Sequence, residues 1–322
     1  MMIDTDVPVV LAPMAGGPST PALANAVIGA GGVGSLGFGY LSAEAAEAQL
    51  REVADGPLLV NLFVPGPPSA ADTGPYVARL RAAGLEVDDP QYTDDAWDAK
   101  LEIVCAAAPA AVSFTFGCPP REVLARVQAA GSQAWVTVTS AAEAREAAAA
   151  GADALVVQGA EAGGHRGSFV DGAEATGTLA LLQLVRAAVD VPLVAAGGIA
   201  TAGGVRAVLD AGATLAAAGT AFMLAPEAGT PAPLRAAVGT DRPTALTRAF
   251  TGRLARGIVN EFMERFGEDA PSAYPEINSV TSALRKRARA AGDESVVNLW
   301  AGQAHALTVE RPAAETVAAL AG

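Results

Sequence analysis

The chain has 322 residues, 51% hydrophobic and 17% charged, enough for one large domain or a barrel carrying a smaller one, and too apolar for disorder. Its formal charge of −13 excludes nucleic acid and anionic membrane as partners, because such a surface repels phosphate. The same field opposes any anionic cofactor or substrate, which local dipoles must therefore hold.

Cys105 and Cys118 fit reduced thiols; one disulfide stays open, but there is no disulfide framework and no metal-ligand spacing. The opening stretch Met1-Met2-Ile3-Asp4-Thr5-Asp6 lacks a basic region followed by an apolar run. No window of about 20 apolar residues is free of charge and turn signals. A cytoplasmic protein without a membrane partner is expected.

Between residues 7 and 225, short apolar runs alternate with Ala-rich helical stretches. The runs are 7–12, 33–38, 58–63, 111–115, 134–138, 154–158, 192–196 and 214–218. Most are nearly continuous in apolar character, as strands buried on both faces should be. Ser140-Ala-Ala-Glu143 reads as a capping box, Gly151 as a helix stop, and Thr201 as the cap of a helix ending at Gly212. Eight such units predict an α/β fold, a (β/α)8 TIM barrel with a smaller inserted lid domain; a doubly wound open sheet is the alternative.

Residues 1–225 are thus the predicted barrel, interrupted by a Pro-rich excursion at 64–93. Residues 226–299 lose the alternation and are predicted as a lid or substrate domain, or as a helical appendage without a catalytic part. Residues 300–322 return to the barrel. Gly29-Ala-Gly31-Gly-Val-Gly34 fits a dinucleotide fingerprint, but it follows a helix and precedes a strand, so it is predicted to be a turn.

Barrel enzymes carry their sites at the C-terminal ends of strands. The residues there are Pro13 to Gly16, Asn61, Ser113 to Gly117, Thr139, Gln158-Gly159, Gly197-Gly198 and Gly219-Thr220. No carboxylate pair, metal-ligand cluster or Ser-His-Asp set occurs among them, so reactivity is borrowed from a cofactor. The paired glycine turns after the last two strands suit a phosphate, held by backbone N–H groups and a helix N-terminus. His165, in a glycine-rich loop after the sixth strand, is the candidate catalytic base, since titration near neutrality suits proton abstraction from a carbon acid.

At these residues the chain resembles the nitronate monooxygenases, formerly called 2-nitropropane dioxygenases. The matching segments are Ala12-Pro-Met-Ala-Gly16, Asn61-Leu-Phe63, Ser113-Phe-Thr-Phe-Gly117, Gln158 to Gly167, Ala196-Gly-Gly-Ile199, Gly219-Thr220 and Trp300-Ala-Gly-Gln303. The resemblance implies flavin mononucleotide (FMN) contacts at Pro13, Met14, Asn61, Gln158 and Gly163. Ala15, Gly16, Gly164, Ala218 and Gln303 complete the candidate cofactor site. It places the phosphate at Gly197, Gly198, Gly219 and Thr220, and makes His165 the base. The implied activity is oxidation of a small nitronate or nitroalkane by O2 to a carbonyl compound and nitrite, with no metal. His165 either deprotonates a neutral nitroalkane or, protonated, pairs with the nitronate. A homodimer is one open option.

The nearest rival is an FMN-dependent NAD(P)H:quinone reductase or enoyl-thioester reductase on the same barrel, whose loop resembles Glu161 to His165. Phe116-Gly-Cys-Pro119 and Trp300 to Gln303 favour the monooxygenase branch. A barrel binding a phosphate ligand without redox chemistry is a third possibility. The basic cluster Arg285-Lys286-Arg287-Ala288-Arg289 is predicted as the solvated face of a helix. Arg253 and Arg256 are predicted to make surface salt bridges, with an anionic substrate as the other option, and Cys118 is given no redox role.

Overall fold

The computed structural model describes residues 3–172 and 174–322; Met1 and Met2, part of the N-terminal expectation, lie outside them. The described residues form eleven strands: β1 (Val9–Leu11), β2 (Gly34–Gly37), β3 (Leu58–Phe63), β4 (Ala111–Thr115), β5 (Gln133–Val138), β6 (Ala154–Gln158), β7 (Gly164–His165), β8 (Leu193–Ala196), β9 (Leu215–Ala218), β10 (Thr244–Thr247) and β11 (Ala255–Ile258). Eight of these are parallel, in the order β1-β9-β8-β6-β5-β4-β3-β2. The ends of that row meet through a parallel bridge at Val10 and Val33, with Leu11 N–H donating to Val33 O and Val33 N–H to Val9 O, both at 2.9 Å. The fold is therefore the predicted (β/α)8 barrel, not an open sheet, and each predicted strand lies on an observed one.

The period of two along each strand sorts side chains into two cores. Val60, Leu62, Val112, Phe114, Val136 and Val157 face the surrounding helices in the larger core. Val10, Leu59, Ala111, Trp135, Ala154 and Val194 face the barrel axis in a smaller one. One step further along the inward rows the residues become polar: Asn61 above Leu59, Ser113 above Ala111, Thr137 above Trp135. The barrel is thus plugged at its base and polar at its mouth.

Helix ends follow the predicted chemistry with one change. Ser140 accepts from Glu143 N–H at the start of the helix Ala141–Ala150, and Gly151 closes it with φ 103°. The reciprocal half of the box is absent. Glu143 instead accepts from the Thr139 N–H and hydroxyl at 2.6 and 2.9 Å and from Phe169 N–H at 2.8 Å, tying the loop after β7 to the end of β5. Thr201 caps Ala202–Asp210 as predicted. The glycines at 29–34 join the helix Pro21–Gly29 to β2, as the turn reading requires.

The remaining strands make a second sheet, β10-β11-β7, antiparallel throughout. Its core combines Tyr76, Val77 and Leu80 of the helix Gly74–Ala82 with Phe250, Phe262 and Ile277, so the excursion at 64–93 and the segment after 226 share one apolar cluster. The C-terminal helix Ala313–Ala321 buries Val317 and Leu320 in the larger barrel core. Among the described residues no helix is long and apolar enough to cross a membrane.

Candidate active site

A cavity of about 700 Å3 lies over the C-terminal ends of the barrel strands. Every candidate catalytic and cofactor residue lines it except Gln303, whose side chain is exposed and whose N–H donates to Glu161 O at 2.9 Å; of the other strand-end residues, Phe114, Gly117 and Gly159 do not line it. Thr139 does not reach the cavity either, being held by Glu143.

The turns after β8 and β9 are neighbours, because Ala196 pairs with Ala217. Gly197 and Gly198 have φ of 111° and 72°, which only glycine adopts without strain. The N–H groups of Gly198, Gly219 and Thr220 meet no acceptor among the described residues. Unpaired amides converging at the edge of a cavity fit a phosphate, and they supply the local dipoles that an acidic chain needs.

Across the cavity, Asn61 Nδ2 lies 3.2 Å from Ser113 O, 2.9 Å from Ser113 Oγ and 2.9 Å from Thr115 Oγ1. The carbonyl of Ser113 demands a donor, which fixes the amide's orientation and leaves Oδ1 for a ligand. Gln158 is committed at both ends. Its Nε2 donates to His165 O at 3.0 Å and its Oε1 accepts from Gly167 N–H at 2.8 Å, so it spans the loop between them.

His165 is positioned from two sides. On the barrel side Gln158 holds its carbonyl, and on the other β7 pairs with β11, placing His165 opposite Ala255. Its Nε2 lies 2.9 Å from Thr251 Oγ1, and that hydroxyl lies 3.2 Å from Arg253 O. A carbonyl can only accept, so with the Thr251 proton directed at Arg253 O, Nε2–H donates to Thr251 Oγ1. Nδ1 is then the unprotonated nitrogen, with no partner among the described residues. Phe116, Tyr274 and Trp300 enclose the ring with centroids at 5.6, 5.8 and 5.6 Å.

Burial in this aromatic enclosure, with the charges of Arg253 and Arg285 nearby, pushes the His165 pKa down from its ordinary value to about 3. This departs from the expected titration near neutrality. The imidazole is neutral at physiological pH, so pairing as a cation with a nitronate is not available to the ligand-free protein.

The arginines also depart from expectation. Arg253 and Arg256 are buried and make no salt bridge among the described residues. Arg253 donates to the carbonyls of Arg166 and Ser168, with its guanidinium 4.2 Å from the Phe116 ring centre. Arg256 Nε donates to Ala160 O at 2.9 Å. Both are thus fasteners of the loop carrying His165. Within the predicted basic cluster, Lys286 and Arg287 are exposed, but Arg285 is buried and, with Arg289, lines the cavity.

Arg285 donates to Thr281 Oγ1 at 3.0 Å and Asn278 Oδ1 at 2.7 Å, and Arg289 to Asn298 Oδ1 at 2.7 Å; neither has a carboxylate partner among the described residues. Burial lowers the Arg285 pKa to about 10, which leaves it charged at neutral pH. Asn278, Ser282, Arg285 and Arg289 fall on one face of the helix Glu276–Ala291, at steps of three and four residues. That spacing was visible in the sequence. Thr251 and Tyr274 carried no comparable signal.

Gly163 has a packing reason to be glycine: a Cβ there would lie 2.5 Å from Ala301 C and Gly302 N. Glu161 caps the helix Thr178–Arg186, accepting from Thr178 N–H at 2.8 Å and its hydroxyl at 2.8 Å.

An eight-stranded barrel with an anion-ready pair of turns and a neutral histidine at its mouth defines an enzyme of the (β/α)8 class. The family model described as nitronate monooxygenase matches residues 1–322. Nitronate monooxygenase of Pseudomonas aeruginosa is 42% identical, over 97% of this chain and 95% of that protein. The enzyme of the same name from Paraburkholderia phytofirmans is 38% identical, over 99% and 92%. The crystal structure of nitroalkane oxidase from Streptomyces ansochromogenes superposes with a TM-score of 0.95 at 45% identity, covering 99% of this chain and 95% of that one. FabK from Thermotoga maritima, at 23% identity and a TM-score of 0.79, shares the fold. The chain belongs to the nitronate monooxygenase family of flavin-dependent oxidoreductases.

Proposed function

We propose that the chain oxidises alkyl nitronates with O2 to carbonyl compounds and nitrite, using FMN, and admits neutral nitroalkanes through proton abstraction by His165. The observation that carries this is the neutral His165 imidazole facing the cavity beside Arg285, a cation without a counter-ion. The neutral imidazole is free to accept a carbon-bound proton, and the nitronate anion formed beside it and Arg285 would offset the burial that holds its pKa down in the ligand-free protein. When bound, FMN supplies the electron relay between nitronate and oxygen. Asn61 Oδ1 and the amides of Gly198, Gly219 and Thr220 would hold it. Family membership and the 45% identity to a nitroalkane oxidase support the substrate class.

His165 Nδ1 takes the proton, and Thr251 keeps Nε2 as the protonated nitrogen while it does so. Residues 226–299, with 64–93, act as the lid that excludes water. Two free thiols agree with a cytoplasmic location.

The test is oxygen uptake and nitrite release by the FMN-loaded protein with a nitronate, beside NADH and NADPH oxidation with a quinone. Nitrite without pyridine-nucleotide oxidation is expected; the reverse pattern refutes the assignment. His165→Asn should keep FMN and nitronate turnover but lose about 10²–10⁴-fold on neutral nitroalkanes. Parental rates on neutral nitroalkanes would remove His165 from the role of base.

A further inference from the structure

We infer that a second cavity, beside the first, is the binding site for a hydrocarbon tail, so that the enzyme takes nitronates of long straight alkyl chains. This rests on the nitronate assignment above for the head of the ligand. The cavity, of about 550 Å3, lies between the loop 64–70 and residues 272–275. Val64, Pro65, Pro67, Pro68, Phe169 and Pro275 give it an apolar wall.

The charges deepest in this space are engaged, while Asp94 at its rim is exposed and accepts from Ala96 N–H at 3.1 Å. Asp171 is paired with Arg248 at 2.7 Å, Asp95 with Lys100 at 2.8 Å, and the Arg253 guanidinium lies over Phe116 at 4.2 Å. The wall formed by Val64, the prolines and Phe169 is the part that gains by burying hydrocarbon, with Ser69, Thr93 and Ser272 as neutral polar neighbours.

The two cavities share the rings of Tyr40, Phe63 and Phe116 and the polar residues Thr93, Asp95 and Asn278, so three rings form the apolar side of the passage. Phe63 packs on Phe116 with centroids 4.5 Å apart, and Phe116 lies 5.6 Å from His165 and 5.4 Å from Tyr274. A ligand with its reacting carbon at His165 therefore has these rings as neighbours, and a chain extended past them enters the second cavity. The partition can yield. Tyr40 is 40% exposed, and its hydroxyl meets that of Tyr274 at 3.4 Å, beyond the usual range for O–H···O bonds.

Gly66 lines this cavity, and a Cβ added there meets no atom within 4 Å. Gly66→Trp adds a large side chain to the wall of this cavity, at a position that does not line the cavity holding His165. The experiment uses straight-chain carboxylates from propanoate to octanoate as inert, planar-anion analogues of nitronates. Their dissociation constants on the FMN-loaded protein are read from flavin difference spectra. Matching nitronates are assayed for nitrite in parallel.

Affinity is expected to rise about fourfold per methylene once the chain passes the rings, as burial of a CH2 group dictates. Gly66→Trp, or Ala70→Phe on the same loop, should abolish that rise and leave propanoate binding unchanged. Equal affinities from propanoate to octanoate in the parent overturn the assignment, as does equal weakening of short and long acids by both variants. If affinity climbs as expected while no nitronate releases nitrite, the tail site stands and the nitronate assignment falls.

Discussion

Thr251→Val removes the hydroxyl that receives the His165 Nε2 proton and leaves the rest of the enclosure in place. The hydrogen bond is 2.9 Å long and Thr251 is buried. An unmet buried donor costs about 1–3 kcal/mol, so the imidazole recovers that energy by moving its proton to Nδ1, the nitrogen on which the proposed proton transfer depends. A shift of about 1.4 kcal/mol in the tautomer balance is a tenfold change in the fraction carrying a free Nδ1 lone pair. Turnover of neutral nitroalkanes, followed by oxygen uptake, should fall roughly tenfold. Nitronates need no proton abstraction and should keep their rate, and Thr251→Ser should restore the parental value. An unchanged rate on neutral nitroalkanes would refute the tautomer assignment. Equal loss on both substrates would show that Thr251 acts by holding β11 in place instead.

The depressed His165 pKa has a consequence for stability that can be signed. The unfolded chain binds the imidazole proton below about 6.5 and the folded chain only near 3, so folding loses stability as pH falls between those values. His165→Asn lacks this penalty, and its melting temperature relative to the parent should be higher at pH 4.5 than at pH 8; a constant difference contradicts the pKa. By the same shift, the activity on neutral nitroalkanes should show no acid limb from His165 near pH 6.5. Gly163→Ala forces a Cβ against Ala301 and Gly302, and should cost about 1–3 kcal/mol in denaturant unfolding while loosening the loop before His165. A parental midpoint and parental nitroalkane turnover would show that the returning segment yields freely.

The barrel was legible because strands buried on both faces leave continuous apolar runs, and each of the eight runs became a strand. The polar mouth was partly concealed by the same continuity. Asn61 stood out among leucines and valines, but the inward rows through Ser113 and Thr137 emerge only when parity is assigned. The arginines were misjudged for a physical reason. A cation next to other cations reads as solvated, yet a helix turns Arg285 and Lys286 about 100° apart, sending one inward and the other into water. Thr251 and Tyr274 were invisible because their value comes from side-chain contacts with His165 made across a long stretch of chain.

The pairing of β7 on β11 bears on how ligands enter. His165 is hydrogen-bonded into the outer sheet as a strand residue, so its imidazole, the base in the proposed reaction, belongs mechanically to that sheet as much as to the barrel beneath it. Swinging the outer sheet away as a rigid flap would either carry His165 off with it or break the register at Ala255. Traffic through the site is therefore better served by small rotations of individual rings, with the main chain held still, than by a hinge.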